Sequence, residues 1–374
     1  MKIAVITRHA ITYYGSLLQT LATQQVIENL GYRCEIIDYI REDESCGEYE
    51  KTLLKQKTNW NQNPLKRILY LALRQPGSII AEKKFEKNRK QFLNLTRRYT
   101  SKQELMENKP EADIYMTGSD QVWGPVADGS YDDVYCLAFT DDKDCRISYA
   151  ASFGHTKVTP ELFSYYRQWL SKYNAITVRE DSAVKMIQDL GLNAVQVIDP
   201  TLLLDAEYWK KYLKPIPQQK YILVYQLHNN KRFDKYVENV ACEMNLPLVR
   251  VSPSIQQIFR KGKLCWSPDV GEFLSYIKNA ECMITDSFHG VAFAINFNTS
   301  FVQVLPNNNT GTRNVSILKL TGLSDRILKN EEDVALAAKK VDFTNANAVL
   351  QKQRKVSLDI LRKMIEEAAG RRPE

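Results

Sequence analysis

Short apolar runs rich in Val and Ile alternate with longer helical patterns through most of this chain, and that alternation calls for parallel strands joined by crossover helices. The first unit is legible at once. Strand 2–7 leads through a loop to helix 16–30, which carries Leu17, Leu21, Val26, Ile27 and Leu30 on one face; Gly31 stops it before strand 34–39. Strands 112–117, 146–152, 175–178 and 194–198, with helices 160–172 and 181–190, complete a doubly wound N-terminal half. The chain restarts near Asp205 with helix 206–213, the linker Pro215-Ile216-Pro217 and strand 221–226. Helix 231–244, strand 247–251, helix 270–279, strand 282–285, helix 290–296 and strand 300–305 follow. The expected fold class is α/β: two Rossmann-like domains with parallel sheets, residues 1–206 and 207–344. A length of 374 residues agrees, because single cores stop growing at about 250–300 residues.

Two segments stand outside this pattern. Residues 48–108 hold many Lys, Arg, Gln and Asn and few β-branched runs, and read as helices inserted between strands, a lid or arm. Residues 345–374 read as a C-terminal helix. Within it Leu350, Val356, Ile360, Leu361 and Ile365 form an apolar stripe that either packs back on the body or serves as an exposed or self-association face, which leaves a homo-oligomer open.

Composition narrows the class. No stretch approaches the roughly 18 uninterrupted apolar residues of a membrane helix, and the run 1–9 is too short and too charged for a leader, so a soluble protein with no transmembrane segment is expected. Seven cysteines, an odd number without C-x-x-C spacing, point to a reducing, cytoplasmic setting and to small buried hydrophobes rather than disulfides or metal ligands. A net charge of +7 without a dense basic block interleaved with aromatics excludes a nucleic-acid groove. A small anionic partner fits better, although a solvated lysine surface accounts for the same excess.

In open α/β sheets ligands sit beyond the carboxyl ends of strands, and five strand ends are unusual. Tyr13-Tyr14-Gly15-Ser16-Leu17-Leu18-Gln19 offers a turn at Gly15 and a helix cap at Ser16, where N–H groups could face an anion, or a plain capped loop. Gly118-Ser119-Asp120-Gln121-Val122-Trp123 combines small residues, a carboxylate, an amide and an indole. Asp120 and Gln121 can hold hydroxyls, and Trp123 either stacks on a sugar or fills the core. Ser148 to Gly154, with Ser152, forms a third small-residue end. Arg179 ends strand 175–178 and either binds a carboxylate or phosphate or pairs with Glu180 or Asp181. The last, Asp286-Ser287-Phe288-His289-Gly290, sets a histidine at the start of an apolar helix. A bound phosphate or carboxylate there would favour the protonated imidazole and make it a usable acid.

Taken in order, Gly118 to Trp123, Ser148 to Gly154, Val178-Arg179-Glu180, Asp199-Pro200-Thr201-Leu202-Leu203 and Asp286 to Gly290 resemble the polysaccharide pyruvyl transferase family. The resemblance runs from Lys2 to about Leu328. It implies a glycosyltransferase-B-like pair of Rossmann-like domains with the active cleft between them, and a reaction in which phosphoenolpyruvate gives its enolpyruvyl carbons to sugar hydroxyls as a ketal, releasing phosphate. His289 is then the general acid. Arg179 binds the donor with Ser287 and Gly290, and Gly15, Ser16, Gln19, Gly118, Ser119, Asp120, Gln121, Trp123 and Ser152 line the acceptor side of the cleft. The acceptor is a saccharide or lipid-linked saccharide precursor of a cell-surface polysaccharide. One departure stands out. The family carries Arg-x-His where this chain has Ser287-Phe288-His289, so one phosphate-binding charge is missing; Arg313, in Gly311-Thr312-Arg313-Asn314, either replaces it or is a surface residue.

Two other readings share the architecture. A nucleotide-sugar glycosyltransferase would set His289 and Arg179 against a diphosphate and Asp120 against the acceptor, and a non-catalytic saccharide-binding protein would use Trp123 without turnover. No D-x-D pair stands in a strand-end loop, so neither a metal nor a cofactor is expected.

Overall fold

The computed structural model describes residues 1–156, 158–306 and 311–370. They form two compact units. The first comprises Met1–Thr12, Ser16–Leu203 and the chain from Val356 onward; the second comprises Tyr13–Gly15 and Leu204–Lys355.

The first unit is built on strands β1 (Lys2–Ile6), β2 (Arg33–Tyr39), β3 (Leu95–Tyr99), β4 (Ile114–Thr117), β5 (Arg146–Ala151), β6 (Ala175–Val178) and β7 (Val195–Gln196). All pairs are parallel, in the order β3-β2-β1-β4-β5-β6-β7. Helix α1 (Tyr14–Asn29) links β1 to β2, α2 (Tyr49–Lys55), α3 (Thr58–Asn61) and α4 (Pro64–Phe92) lie between β2 and β3, and α5 (Lys102–Glu107) precedes β4. Helices α6 (Pro160–Leu170) and α7 (Asp181–Asp189) flank β6, with α8 (Pro200–Leu203) closing the series. Ile3, Val5 and Ile6 are fully buried, because a central parallel strand is covered on both faces and reads as a continuous apolar run.

In the second unit α9 (Ala206–Lys210) leads to β8 (Ile222–Tyr225), α10 (Lys231–Met244), β9 (Leu248–Ser252), β10 (Lys263–Trp266), α11 (Val270–Lys278), β11 (Cys282–Thr285), α12 (Phe288–Phe297), β12 (Phe301–Gln303), α13 (Thr312–Thr321) and α14 (Ala335–Ala338). Its parallel order is β10-β9-β8-β11-β12. The last helix, α15 (Thr344–Gly370), buries Leu350, Leu361 and Ile365. In the first unit its Ser357 Oγ accepts from the Ile198 amide and its Ala368 carbonyl from Cys145 Sγ. Residues 371–374 of the expected tail lie outside the described residues. Among the described residues no helix is long and apolar enough to cross a membrane.

Three elements differ from the sequence reading. Residues 48–108 are not all helical, since β3 lies among them as an edge strand. Its sequence Leu-Thr-Arg-Arg-Tyr leaves Arg97 and Arg98 on the surface, and an edge strand carries charge where a central one carries Val and Ile. The short strand β10 is the corresponding edge of the second sheet and was hidden for the same reason. Helix α1 begins at Tyr14, so Ser16 lies inside its first turn and is not the cap; its hydroxyl donates to the Arg8 carbonyl.

Each sheet reverses its winding once, between β1 and β4 in the first and between β8 and β11 in the second. The carboxyl ends beside such a reversal are where chain leaves the sheet in opposite directions and opens a crevice.

Near the first reversal, His9 Nε2 lies 2.9 Å from Asp38 Oδ1 and Arg98 Nε 3.1 Å from Asp38 Oδ2. Burial is the largest influence on Asp38 and pushes its carboxyl up, but the hydrogen bond and charge of His9 and the charge of Arg98 together hold it below the ordinary carboxylate value. A depressed carboxylate stabilises the fold above its unfolded value, ~3.9, and loses that contribution as pH falls through the folded value. Asp38→Asn should therefore cost roughly 3–5 kcal/mol at neutral pH, the range for removing one partner of a buried ion pair. In urea titrations at a series of pH values the gap to wild type should narrow below about pH 4; a constant gap would contradict the assignment.

Candidate functional site

At the carboxyl ends of the first sheet, four motif segments meet in one buried network. Arg179, just past β6, donates from Nη1 to Asp199 Oδ2 at 2.6 Å. Ser119, just past β4, donates to the same oxygen at 2.9 Å, and Thr201 donates twice to Asp199 Oδ1, from Oγ1 at 2.7 Å and from its amide at 3.0 Å. Asp120 Oδ1 stands 3.7 Å and Glu180 Oε2 3.9 Å from the guanidinium. Ser152 Oγ, past β5, closes the ring by donating to Glu180 Oε1 at 2.7 Å. Burial is the largest influence on Arg179 and pulls its pKa down, but the charges of Asp199, Asp120 and Glu180 outweigh it, so the guanidinium sits above its ordinary value. Three carboxylates thus surround one cation. Of the expected partners Glu180 is met at 3.9 Å, and a shorter pairing joins Arg179 with Asp199, whose place in space no local spacing could reveal.

The backbone around this network is strained where the motif residues lie. Asp120 has φ 82° and Ala150 φ 53°, left-handed values that non-glycine residues adopt at a cost and that tend to gather at functional positions. The Asp120 carboxylate accepts its neighbour's amide at 2.8 Å, which supports the turn. Gly118 packs on Val5 and Thr7, with room for no more than a tight Cβ contact at 3.1 Å. The Gln121 side chain lies against Gly154, where a Cβ would come within 2.5 Å of its amide nitrogen. Gln19 is fully buried, its Nε2 donating to Thr7 Oγ1, Ser16 O and Thr20 Oγ1. Of the two roles open to Trp123 the structure realises the core one: it is 1 % exposed, with its ring centroid 5.0 Å from Phe153 and 6.1 Å from Tyr173. An indole so enclosed has no face to offer a sugar.

In the second unit Ser287 caps α12 by accepting the Gly290 amide at 3.2 Å, and its own amide donates to Thr285 Oγ1 at 3.0 Å. His289 therefore stands in the first turn of α12, where backbone N–H groups concentrate positive potential. Gly290 lets that turn close on the sheet, since a Cβ there would meet Thr285 Oγ1 at 2.7 Å. Arg313 lies with its guanidinium carbon 5.9 Å from the centre of the Phe288 ring. That puts Arg313 beside the motif.

Sequence reasoning missed His228. Thr285 pairs with Tyr225, so the chain leaving β8 and the chain leaving β11 emerge side by side. Asp286 Oδ1 accepts the Leu227 amide at 2.7 Å, while Oδ2 accepts the His228 amide at 2.9 Å and faces His228 Nδ1 at 3.0 Å. A carboxylate facing Nδ1 fixes the proton there and leaves Nε2 to exchange one. His9 was missed similarly, although it follows β1 by three residues.

Gly15 belongs to the second unit with Tyr14, whose ring stacks on Phe273 at 4.1 Å and whose hydroxyl donates to the Pro268 carbonyl at 2.6 Å. A Cβ on Gly15 would fall 2.1 Å from His289 Nδ1. Gly15→Ala should accordingly push the imidazole aside at a cost of roughly 1–3 kcal/mol, the usual penalty of overpacking. In a histidine-selective ¹H–¹⁵N spectrum, with the signal identified by its loss in His289→Gln, the His289 resonance should move; an unmoved resonance would contradict the packing.

The sequence profile of the polysaccharide pyruvyl transferase family matches residues 14–309. No curated protein matches the chain. Among solved structures, UDP-N-acetylglucosamine 2-epimerase from Rickettsia bellii superposes with a TM-score of 0.57 at 10% identity, over 99% of this chain and 97% of that one. UDP-GlcNAc 2-epimerase from Methanocaldococcus jannaschii superposes with a TM-score of 0.54 at 13% identity, over 96% and 99%. These likenesses establish a glycosyltransferase-B-like α/β fold. The family profile covers most of the chain, including all the motif segments of both sheets, and the protein belongs to the polysaccharide pyruvyl transferase family.

Proposed function

We propose that the protein transfers the pyruvyl group of phosphoenolpyruvate onto two hydroxyls of a saccharide or lipid-linked saccharide precursor, in the cytoplasm and for cell-surface or exopolysaccharide synthesis. The observation that carries this reading is His289 in the first turn of α12 at the reversal of the second sheet, with Arg313 over the neighbouring Phe288 ring at 5.9 Å. A helix N-terminus and a guanidinium together suit an anionic donor. Arg313 supplies the charge that Ser287 lacks.

The chemistry balances with the groups at hand. His289 gives a proton to the methylene carbon, which becomes the methyl group, and the central carbon turns electrophilic. The first hydroxyl oxygen bonds to that carbon as its proton passes to His228 Nε2. The carbon–oxygen bond to phosphate then breaks, phosphate leaves with the His228 proton, and the second hydroxyl bonds in its place while its proton restores His289. Asp120, the one carboxylate of the Arg179 network that keeps part of its side chain exposed, suits hydroxyl recognition, and the resemblance gives Arg179 itself to the donor.

A second reading, a nucleotide-sugar glycosyltransferase, is favoured by the missing arginine at Ser287 and by the fold shared with UDP-GlcNAc enzymes. Calorimetric titration with phosphoenolpyruvate and with UDP separates the two. Phosphoenolpyruvate should bind, and Arg313→Ala should weaken it by about tenfold, near 1.4 kcal/mol for one exposed charge contact. Arg179→Ala tests the donor role given by the resemblance. Binding of UDP alone would replace this reading with the second.

A further inference from the structure

Residues 51–81 contain Lys51, Lys55, Lys57, Lys66, Arg67 and Arg74 and not one Asp or Glu. The same stretch holds a concentration of large exposed hydrophobic side chains: Trp60, Leu65, Ile68, Leu69, Leu73 and Ile80. Exposed apolar side chains gathered in one stretch in this way mark an interaction surface.

The arrangement on α4 is ordered. Tyr70, Ala81, Phe85 and Arg89 are its buried residues and mark the face turned to the body. At 100° per residue, Leu65, Ile68, Leu69, Leu73 and Ile80 fall within an arc of about 140° on the opposite side. Residues 62–69 are exposed without interruption, so the first turns of the helix stand clear of the unit. Lys83 and Lys87, both exposed, continue the same face beyond Ile80. Among the described residues no ion pair is made by Lys55, Lys57, Lys66 or Arg67, so their charge is not spent within the protein. The apolar stretch from Leu65 to Ile80 spans about 22 Å at the helical rise and is interrupted by Lys66, Arg67 and Arg74, which rules out crossing a bilayer. An apolar stripe with Lys66 at its edge and Lys83 and Lys87 continuing it, and with a tryptophan just before the helix, suits a helix lying in the plane of a membrane interface.

We infer that α3 and the outward face of α4 form a docking surface for an anionic lipid membrane, with Leu65, Ile68, Leu69 and Leu73 entering the headgroup boundary and Lys66 at the edge of that face, with Lys83 and Lys87 farther along it, meeting lipid phosphates. The choice of an anionic membrane over a protein partner rests on charge complementarity, since the stretch carries four cations outside any ion pair among the described residues and no anion of its own, and Lys83 and Lys87 extend the outward face. The inference stands apart from the pyruvyl transferase reading.

The test is flotation of the full-length protein with vesicles of equal parts phosphatidylcholine and phosphatidylglycerol, and with pure phosphatidylcholine vesicles. The protein should float with the first, at least tenfold less with the second, and less with the first as salt is raised. Leu65→Ser, Ile68→Ser, Leu69→Ser and Leu73→Ser combined, all at exposed positions, should abolish flotation while circular dichroism and melting stay as in wild type. Lys66→Glu, Lys83→Glu and Lys87→Glu combined should reduce it at least tenfold. Absence of wild-type flotation, or flotation retained in the serine variant, would overturn the inference. So would a wild-type dimer in sedimentation equilibrium that the serine variant converts to monomer without any vesicle binding, because the face would then join two copies of the chain.

Discussion

The Arg179–Asp199 ion pair is the contact on which the first unit's motif segments depend. Asp199 receives Arg179, Ser119 and two donors from Thr201, and Glu180 beside Arg179 receives Ser152. A buried pair adds little stability over a well-packed apolar alternative. What it fixes here is geometry: the ends of β4, β5 and β6 and the start of α8 are tied to one another, and the strained turn at Asp120 is held among them. With three carboxylates around one cation the network is net negative, and among them Asp120 keeps part of its carboxylate exposed.

The second unit uses different means at its own winding reversal. Asp286 secures the chain after β8 with three contacts, Ser287 caps α12, and Gly15 gives the His289 ring a place that any Cβ would occupy. Two imidazoles are thereby attached to adjacent strand ends, one on a helix N-terminus and one on a carboxylate. Proton transfer in both directions is available from such a pair. On the first unit, α4 turns one face to the body and leaves an apolar face with Lys66, Lys83 and Lys87 outward; a protein held at a membrane by that face would meet lipid-linked saccharides where they are anchored.

Much of this was legible in the sequence because central parallel strands announce themselves. Ile3–Ile6, Ile222–Tyr225 and Cys282–Thr285 are almost wholly apolar, and each is followed at once by a polar residue, Thr7, Gln226 and Asp286. The edge strands Leu95–Tyr99 and Lys263–Trp266 were not legible, because an edge is half exposed and its charged residues imitate a loop. Nor was strand order. Without knowing that β8 lies beside β11, nothing marks His228 as the neighbour of Asp286, and without the order of the first sheet Arg179 is as easily assigned to Asp181 as to Asp199. Trp123 shows the opposite error: a residue type that stacks on sugars is also the largest core filler, and only burial separates the two.

The proposed pyruvyl transfer requires the donor phosphate at α12, and a crystal structure of the protein with phosphoenolpyruvate bound tests that directly. Phosphate density is expected at the N-terminus of α12, beside His289 and Arg313. Phosphoenolpyruvate bound away from α12, or a site there that accepts UDP and not phosphoenolpyruvate, would contradict it.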